Sequence, residues 1–315
     1  MNPREAEFGA LAERHRRELH VHCYRMTGSV TDAEDLTQEA FLRAWRSLDD
    51  FEGRASLRSW LYRIATNVCL DFLKRHDRRT TPVGTFNDPL ENDAGLQPYP
   101  DHLLGGQSTE DDPGGALVRR ETTELMFVAA LSVLPPRQRA ALIARDVLEH
   151  SADETAALLG VSVASANSLV QRARAAMRRH RAPEARRSQR STAGDALARR
   201  YVRAHERGDA ESIVAMLHED VRITMPPHAP CIGRAEAAAF FVELLGPDGP
   251  GHWLLEPTRS NGLPATANWL RRPGDDVYRA LSIDVLTVRD DRLVTVNCFL
   301  EDKIFPAFGL PLTRP

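Results

Sequence analysis

Side chains that can hydrogen-bond to nucleic acid recur at helical spacing near the middle of the chain. They place amide, hydroxyl and guanidinium groups on one face of a predicted helix that starts near Val163: Asn167, Ser168, Gln171 and Arg172. Such groups read base edges and phosphates in the DNA major groove. Ala166 and Val170 fall on or near the opposite face, as expected of a helix that packs on its own domain. A solvated amphipathic helix of an ordinary bundle is the alternative for this segment.

The residues before this helix carry the signals of a helix-turn-helix. Ser151 and Glu154 have the spacing of a capping box, which predicts the start of a short helix. Gly160 lies where the chain must turn sharply before the second helix begins. Arginines follow against the single acid Glu184: Arg172, Arg174, Arg178, Arg179, Arg181, Arg186, Arg187 and Arg190. This basic run favours nucleic-acid binding over an ordinary helical bundle.

The charge of the chain is sorted by segment. The net charge of −3 over 315 residues is unexpected for a DNA-binding protein. By segment, the net charge is zero over residues 1–76, −6 over 77–118, +6 over 119–190 and −3 over 191–315. A basic module beside an acidic linker can bind a phosphate backbone. When no DNA is present, the basic module can instead be held by another part of the same chain.

Length and composition exclude several protein classes. A chain of 315 residues with 42% hydrophobic content can bury sizeable cores, and its length predicts two or three domains. No apolar run approaches the ~20 residues that span a bilayer, and the N-terminus is charged, so we expect a cytoplasmic protein. The cysteines lack metal-ligand spacing: Cys23, Cys69, Cys231 and Cys298. We therefore expect reduced thiols, no metal site and no cofactor.

The first 76 residues predict a compact helical domain with an acidic surface. Thr31, with Glu34 three residues later, predicts the cap of a helix that continues through DAEDLTQEAFLRAWRSL. Its acidic side chains concentrate near the helix N-terminus: Asp32, Glu34, Asp35 and Glu39. A basic partner helix can use such a surface, and a simply solvated helix start is the alternative.

From Arg54 to Arg79 the charge reverses, because basic residues are interleaved with Trp60, Tyr62 and Phe72. Guanidinium groups follow a nucleic-acid backbone while aromatic rings stack on unpaired bases, so this combination suits melted nucleic acid. The alternative is that Trp60 and Tyr62 are core residues.

Residues 77–115 form a predicted linker that is acidic and rich in proline and glycine. Within it, the sequence LQPYPDHLL gathers apolar side chains: Leu96, Tyr99, Leu103 and Leu104. An isolated apolar island in a linker usually docks on another part of the protein. We therefore expect this island to be a docking segment.

The last part of the chain predicts an α+β domain. Residues 193–218 and 234–245 have helical patterns. Four segments have the composition of strands: RITM, HWLLEPTRS, YRALSIDVLTVRD and RLVTVNCFL. Asp290 and Asp291 predict a turn between the last two. A curved sheet wrapped by helices commonly encloses a pocket. The candidates to line it are Met225, His228, Trp253, Asn268, Trp269, Tyr278, Asp284, Asn297 and Phe299.

Three ordered motifs resemble bacterial sigma-seventy factors of the extracytoplasmic-function group: DAEDLTQEAFLRAWRSL, SLRSWLYRIATNVCLDFLKR and SADETAALLGVSVASANSLVQRAR. The C-terminal unit resembles a SnoaL-like domain of the ketosteroid-isomerase-like cone fold. The resemblance implies two all-α domains followed by an α+β cone-fold domain. Its implied boundaries are sigma-2 at 1–76, a linker at 77–115, sigma-4 at 116–190 and the SnoaL-like domain at 191–315.

The resemblance implies a transcription initiation factor that binds core RNA polymerase and promoter DNA, without a membrane partner. Its polymerase contacts would be the clamp helices of the largest subunit and the flap of the second. The implied core-binding residues are Asp35, Gln38 and Glu39. The implied minus-ten residues are Arg58, Trp60, Asn67, Lys74 and Arg75. The implied minus-thirty-five residues are Asn167, Ser168, Gln171, Arg172 and Arg174.

The resemblance also implies that the C-terminal domain and the linker regulate the factor in cis, with an unknown small ligand as a possible partner of the pocket. One alternative is a DNA-binding module fused to an active isomerase or hydrolase, in which His228, Asp284 and Tyr278 would act on a substrate. A second alternative is a response regulator with a similar output helix-turn-helix. Our expectation is a protein without enzymatic activity.

Overall fold

The computed structural model describes residues 3–51, 53, 56–76, 95–104, 125–179 and 192–315. The chain divides into two units: Met1–Thr81 with Leu103–Arg181, and Pro82–His102 with Ala182–Pro315. Several predicted features lie outside the described residues: Arg54, Arg78, Arg79, linker residues 77–94 and 105–115, and the arginines from Arg181 to Arg190.

The first unit is helical, as predicted. Its helices are α1 (Pro3–Thr27), α2 (Val30–Arg46), α3 (Leu57–Arg75), α5 (Leu125–Ser132), α6 (Pro136–Leu142), α7 (Ala152–Leu159) and α8 (Val163–Arg179), while the short α4 (Asp101–Leu104) ends the described part of the linker. A 3₁₀ turn at Leu48–Asp50 follows α2, and a π-helical turn at Ile143–Val147 follows α6. Among the described residues, no helix combines the length and apolar character needed to cross a membrane.

Ser29, and not Thr31, caps α2. The Ser29 side chain accepts a hydrogen bond from the Asp32 backbone N–H at 3.1 Å. Gly28, with φ of 75°, turns the chain immediately before the cap. The prediction placed the cap two residues late because both serine and threonine can cap a helix.

A buried polar contact joins α1 to α3 in the core of the first unit. His22 Nε2 of α1 lies 2.9 Å from Thr66 Oγ1 of α3, and both residues are buried. Burial lowers the pKa of His22 to about 3, so this histidine is neutral at physiological pH. The apolar residues around it are fully or almost fully buried: Leu19, Cys23, Tyr24, Met26, Ala33, Ala40, Ala44, Leu61, Ala65, Val68 and Cys69.

Arg139 on α6 joins several carbonyl groups inside the first unit. Its guanidinium donates to the Met26 carbonyl at the end of α1. It also donates to the Ser132 carbonyl at 2.6 Å and to the Leu134 carbonyl at 3.3 Å. Arg139 is only 6% exposed. This buried cation therefore satisfies three carbonyl groups at the junction of α1, α5 and α6.

The predicted helix-turn-helix is confirmed. The Ser151 N–H donates to Glu154 Oε2 at 2.7 Å, and the Glu154 N–H donates to Ser151 Oγ at 3.1 Å. Gly160 ends α7 with φ of 61°. Apolar residues of α7 and α8 are buried in the seam between them: Ala156, Leu159, Ala166, Val170 and Ala173.

The second unit is an α+β domain, as predicted. Its elements are α9 (Thr192–Glu206), α10 (Ala210–Met216), β1 (Leu217–Met225), β2 (His228–Ile232), α11 (Arg234–Leu245), β3 (His252–Ser260), β4 (Leu263–Arg271), β5 (Tyr278–Arg289), β6 (Arg292–Phe299), a 3₁₀ segment at Asp302–Phe308 and β7 (Thr313–Arg314). The sheet order is β2-β1-β6-β5-β4-β3, and β7 pairs with β5. β1 and β6 are parallel, and the other pairs are antiparallel.

Several elements differ from the predicted pattern. The helix predicted at 193–218 is two helices, because Gly208 turns the chain at φ of 68° and Asp209 caps α10. Leu217 then begins β1. The strands β2, β4 and β7 were not predicted. In β4, Pro264 and its alanine neighbours have low strand propensity.

One face of the sheet packs against α9, α10 and α11, and we call it the helix-covered face. Leu255, Leu286, Val296 and Cys298 belong to this face and are buried with apolar residues of the three helices. Side chains alternate between the two faces of a strand. The register therefore assigns every neighbouring residue of β5 and β6 to one face or the other.

Two tight turns connect strands of this sheet. Asn261 and Gly262 have φ of 54° and 78° between β3 and β4. Asp290 and Asp291 have φ of 50° and 55° between β5 and β6, which confirms the predicted turn. Positive φ at both central residues is the geometry that closes two-residue hairpins.

Replacing Arg139 with methionine is expected to destabilise the protein by ~3–5 kcal/mol, because three carbonyl groups lose a charged donor in a buried location. Chemical denaturation followed by circular dichroism measures the change. Arg137→Met is the matched control, since exposed Arg137 makes one long hydrogen bond, of 3.4 Å, to the Leu159 carbonyl. Equal effects of the two substitutions would contradict the role given to Arg139.

Candidate functional site

The exposed face of α8 presents the predicted nucleic-acid groups together. Asn167, Gln171 and Arg172 are exposed, and Ser168 is half-buried. The Arg172 guanidinium donates to Ser168 Oγ at 3.0 Å, so these two side chains are already joined. The face therefore offers two amides and a guanidinium to solvent, with a hydroxyl between them.

Arg174 is tied to its own unit. Its guanidinium makes two hydrogen bonds to Asp146 in the π-helical turn, Nε to Oδ2 at 3.1 Å and Nη2 to Oδ1 at 2.5 Å. This fork-to-carboxylate pair holds α8 against the preceding turn. Arg174 therefore differs from Arg172 in having a carboxylate partner in the structure.

The acidic surface predicted on α2 is exposed. Asp35 and Gln38 are exposed and Glu39 is half-buried. Gln38 Nε2 donates to Glu34 Oε1 at 2.8 Å, which orients the amide along the helix. Leu42 lies on the same face at helical spacing and is 52% exposed. Sequence analysis missed Leu42, although its spacing of four and seven residues from Gln38 and Asp35 was available.

A charge network borders this acidic surface. Arg43 Nε donates to Glu39 Oε1 at 2.8 Å, and Arg43 Nη1 donates to Asp71 Oδ2 at 3.0 Å. The network connects α2 to α3 and fixes the position of Glu39. Exposed ion pairs of this kind contribute little stability, so their effect here is to orient side chains.

The residues predicted to act together on α3 are divided by the fold. Asn67, Lys74 and Arg75 are exposed. Trp60 is 7% exposed, and its ring centroid lies 4.9 Å from that of Phe51, which makes it a core residue. Its neighbour Tyr62 is also buried. The core alternative for these two aromatics is therefore confirmed.

Arg58 is not free on α3. Its Nε donates to Glu18 Oε2 of α1 at 2.8 Å, and its guanidinium lies 4.9 Å from the centre of the Tyr62 ring. About half of the Arg58 side chain remains exposed. Exposed cations of α3 therefore include Arg63 and, at the C-terminal end, Lys74 and Arg75.

The first part of the predicted apolar island, with Leu96 and Tyr99, belongs to the C-terminal unit. Tyr99 is fully buried, and its backbone exchanges hydrogen bonds with Asn261 at the β3–β4 turn. The Tyr99 N–H donates to Asn261 Oδ1 at 2.8 Å, and its carbonyl accepts from the Asn261 N–H at 2.8 Å. Ser260 Oγ also donates to the Tyr99 carbonyl, at 3.1 Å. The linker therefore covers a hairpin tip that would otherwise expose polar groups.

Arg259 joins the two ends of a long chain segment. Its Nε donates to Asp101 Oδ2 at 3.3 Å, and its Nη1 donates to Asp195 Oδ1 at 2.5 Å. Asp101 Oδ1 also accepts from the Gly262 N–H at 2.7 Å. The end of the docked linker and the first turn of α9 thus meet at one guanidinium.

The predicted pocket residues do not all lie on one face of the sheet. Asp284 lies on the helix-covered face opposite Cys298, and Trp253 packs against the same core. Asn297 lies on the other face of the sheet, because its register partner is Val285. Asn297 Oδ1 there accepts from Thr224 Oγ1 at 2.8 Å.

His228 and Tyr278 lie at the starts of β2 and β5, and the six residues of β5 from Tyr278 to Asp284 span ~20 Å. His228 is exposed at the start of β2, after the cis peptide between Pro226 and Pro227. Tyr278 is half-buried at the start of β5, with the Arg271 guanidinium 4.8 Å from its ring centre. The acid, histidine and tyrosine of the enzyme alternative are therefore not brought together.

Asp284 lies in a chain of hydrogen bonds on the helix-covered face. Ser282 Oγ donates to Asp284 Oδ1 at 2.9 Å, and Asn268 Nδ2 donates to Ser282 Oγ at 2.9 Å. Burial raises the pKa of Asp284 to about 6, although hydrogen bonds from Ser282, Asn268 and Cys298 oppose the shift. A carboxyl group with this pKa is mostly ionised at pH 7.

Sequence analysis missed His205 and Thr266, which lie on α9 and β4. His205 is 3% exposed, and its ring centroid lies 5.0 Å from that of Trp253. Thr266 is the register partner of Asp284. A histidine in the amphipathic sequence of α9 was visible, but only strand register could reveal Thr266.

Replacing Asp284 with asparagine is expected to stabilise the protein at neutral pH. Because the pKa of Asp284 is raised in the fold, its carboxyl contributes its full stabilisation only below pH 3.8, the ordinary pKa of this group. This contribution is lost as the pH rises through about 6. The difference between 3.8 and about 6 corresponds to ~3 kcal/mol. Denaturation midpoints at pH 4, 5, 6 and 7.5 measure the effect.

The stabilisation by Asp284→Asn should shrink as the pH falls toward 4. Asp290→Asn is the matched control, because Asp290 is exposed at the end of the same strand and its positive φ suits asparagine. A larger benefit of Asp284→Asn at pH 4 than at pH 7.5 would contradict the raised pKa.

Comparison with known proteins identifies each part of the chain. Three family models match the chain. The model for Sigma-70 region 2 matches residues 11–79, and the model for Sigma-70 region 4 matches residues 124–177. The model for the SnoaL-like domain matches residues 198–296. The ECF RNA polymerase sigma factor SigG of Mycobacterium tuberculosis is 39% identical over 323 aligned positions, covering 98% of this chain and 85% of that protein. SigJ of the same organism is 32% identical, covering 91% and 88%.

A solved structure supports the same assignment. The crystal structure of the Mycobacterium tuberculosis extracytoplasmic function sigma factor SigJ has a TM-score of 0.61 and 28% identity, covering 98% of this chain and 99% of that one. The response-regulator alternative is wrong, because the described residues before α7 form helices and no doubly wound sheet. The motifs, the helical and α+β units and these similarities agree: the chain belongs to the ECF RNA polymerase sigma factor family and functions in transcription initiation.

Proposed function

We propose that this sigma factor reads the minus-thirty-five element of its promoters with the exposed face of α8. The observation that carries this proposal is that Asn167, Gln171 and Arg172 are exposed together, while Ala166 and Val170 on the other side are buried. Amides pair with adenine and guanidinium groups with guanine through two hydrogen bonds in the major groove. Three such groups on one helix face are enough to select a short sequence.

Ser168 and Arg174 are proposed to position groups of α8 and not to read bases. Ser168 is held by Arg172 at 3.0 Å, so it fixes the guanidinium before DNA arrives. Arg174 is held by Asp146 and therefore sets the position of α8 on its unit. A phosphate contact by Arg174 would compete with this ion pair.

We propose that α2 binds the clamp helices of the largest polymerase subunit. Asp35, Gln38 and Glu39 supply acidic and amide groups, and exposed Leu42 supplies an apolar contact on the same face. Such a mixture of an apolar centre and charged surroundings is typical of protein interfaces. The sigma-4 unit would contact the flap of the second subunit, in the cytoplasm where transcription takes place.

The exposed part of α3 is proposed to hold the melted minus-ten element. Lys74 and Arg75 attract the phosphate backbone, and the Asn67 amide can hydrogen-bond an extruded base. Trp60 acts from the core, where it supports the helix. Arg58 reaches DNA only after leaving Glu18, so its contribution is smaller than that of Lys74.

The double substitution of Asn167 and Gln171 by alanine is expected to reduce promoter-specific transcription at least tenfold, because two base-reading amides are removed. In vitro transcription uses core RNA polymerase and promoters selected from a random library, with the full chain as reference. Binding to non-specific DNA should change little, since no cation is lost.

Arg178→Ala is the matched control on the same helix. Arg178 is exposed beyond the proposed base-reading positions, so its loss should weaken binding to all sequences alike and lower the salt dependence. If Asn167 and Gln171 can be replaced without loss of selected transcripts, α8 does not read the promoter as proposed. Absence of any transcript from the full chain would overturn the sigma mechanism itself.

We further propose that the C-terminal unit regulates the factor in cis through the docked linker and has no catalytic role. The linker docks through buried Tyr99 and through Asp101, which binds both Arg259 and the Gly262 N–H. The linker connects the sigma-2 and sigma-4 parts of the chain. Docking therefore makes this connection depend on the C-terminal unit.

Replacing Tyr99 with alanine is expected to release the linker, because the docking loses its fully buried aromatic side chain. Transcript yield should change in the same direction as in a chain ending at Arg190. Protease cleavage near residues 95–102 should become faster. His102→Ala is the matched control, because His102 is exposed beside Asp101.

The regulatory proposal fails if ending the chain at Arg190 alters neither core binding nor transcript yield. It also fails if Tyr99→Ala accelerates cleavage of the linker but leaves the yield unchanged. In both cases promoter-specific transcripts would remain, so the sigma function would be unaffected.

A further inference from the structure

Polar atoms without hydrogen-bond partners gather on the helix-covered face of the C-terminal unit. Six buried side-chain nitrogen or oxygen atoms in the described part of this unit have no hydrogen-bond partner. One is Arg234 Nε, and the other five are His205 Nδ1, His205 Nε2, Trp253 Nε1, Thr266 Oγ1 and Asn268 Oδ1. Burying an unpaired polar atom is unfavourable, so five in one region indicate a function.

Strand register places three of the acceptor groups side by side. Thr266 on β4 lies directly opposite Asp284 on β5, and Asn268 lies directly opposite Ser282. Opposite residues of neighbouring strands have Cβ atoms ~5 Å apart. The Thr266 hydroxyl, the Asn268 carbonyl oxygen and the Asp284 carboxylate therefore converge on an area that one small group can span.

Aromatic rings form the other side of this region. The His205 ring centroid lies 5.0 Å from Trp253 and 5.5 Å from Tyr201, and the Tyr201 centroid lies 6.2 Å from Phe241. Burial raises the pKa of Tyr201 well above its ordinary value, and the charges of Asp284 and Cys298 raise it further. Tyr201 also belongs to the same buried core as Cys298, the register partner of Asp284.

The carboxylate itself has neutral neighbours. Ser282 donates to it at 2.9 Å, and the Cys298 thiol lies opposite it on β6. Burial lowers the pKa of His205 to about 4, so this imidazole is uncharged at pH 7. A buried carboxylate is normally matched by a cation, and aromatic rings also attract a cation.

We propose that this face binds a small molecule through a protonated primary amine, with Asp284, Asn268 and Thr266 receiving its three N–H groups. An ammonium group has three donors and no acceptor, which matches these three oxygens. The body of the ligand is an aromatic or apolar group that packs against Tyr201 and Phe241. A hydroxyl on that body, as in tyramine, can accept from Trp253 Nε1.

The proposal concerns binding alone and does not depend on the regulatory role of the C-terminal unit. Half-buried Trp253 is the part of this region nearest to solvent, and partly buried Met225 and Phe240 pack on the same core. A ligand that enters from this side meets the indole first. Water or a neutral hydroxylated ligand would pair the same atoms without using the negative charge.

Calorimetric titration of the full chain tests the charge of the ligand. The probes are phenethylamine, tyramine and tryptamine, each compared with the alcohol that replaces its amino group by a hydroxyl group. We expect saturable binding of at least one amine, at least tenfold tighter than its alcohol. Equal binding of amine and alcohol, or no saturable binding of all three amines, would overturn the proposal.

Substitutions test the residues. Asp284→Asn should weaken binding of the best amine roughly 30-fold or more, because the buried charge partner is removed. Thr266→Val should weaken it severalfold. Thr287→Val is the matched control, since Thr287 is a buried threonine on the other face of β5 and accepts from Thr295 Oγ1 at 2.7 Å.

Stability separates loss of binding from loss of folding. Asp284→Asn is expected to fold more stably than the natural sequence at pH 7, so lost binding in that variant does not come from unfolding. Thermal melts of all variants accompany the titrations. Unchanged amine affinity in Asp284→Asn, or an equal loss in Thr287→Val and Thr266→Val, would also overturn the proposal.

Discussion

The contact between Tyr99 and the tip of the β3–β4 hairpin governs how the parts of this sigma factor are connected. A buried hairpin tip must have its backbone groups paired, and here the linker supplies those partners through the Tyr99 N–H and carbonyl. The tip has φ values suited to a sharp two-residue turn at Asn261 and Gly262. The polar groups of the hairpin tip and of the linker therefore pair with each other.

Local signals in the sequence predicted local structure well. Ser151, Glu154 and Gly160 define the start and end of α7 through interactions within a few residues, so their meaning does not depend on the rest of the fold. The turn at Asp290 and Asp291 is local in the same sense. The apolar island around Tyr99 was also recognisable, although its docking partner was not.

Long-range structure was harder to predict. Strand β4 lies between β3 and β5, and its place in the sheet overcomes the low strand propensity of Pro264, Ala265 and Ala267. Pocket residues depend on register, where a shift of one residue moves a side chain to the opposite face. Asn297 and Cys298 are adjacent in sequence, yet only Cys298 lies beside Asp284.

The exposed side chains of the helices and the buried Asp284 differ in what they require from the fold. Exposed groups such as Asn167 and Lys74 need only a helix that presents them, so sequence periodicity was sufficient to predict their exposure. Asp284 needs burial, neighbours on three strands and a ring from α9, and its raised pKa expresses the free energy of that placement. A buried carboxyl group that is unfavourable in free energy indicates a function, because packing alone does not explain its presence.

The ion pairs of Arg259 close the segment from Asp101 to Asp195 into a loop that contains α5, α6, α7 and α8. Asp101 also accepts from the Gly262 N–H, so this closure lies at the same hairpin tip that Tyr99 pairs. Because exposed ion pairs contribute only ~0–1 kcal/mol each and weaken in salt, ionic strength sets how firmly Asp101 and Asp195 are held at Arg259.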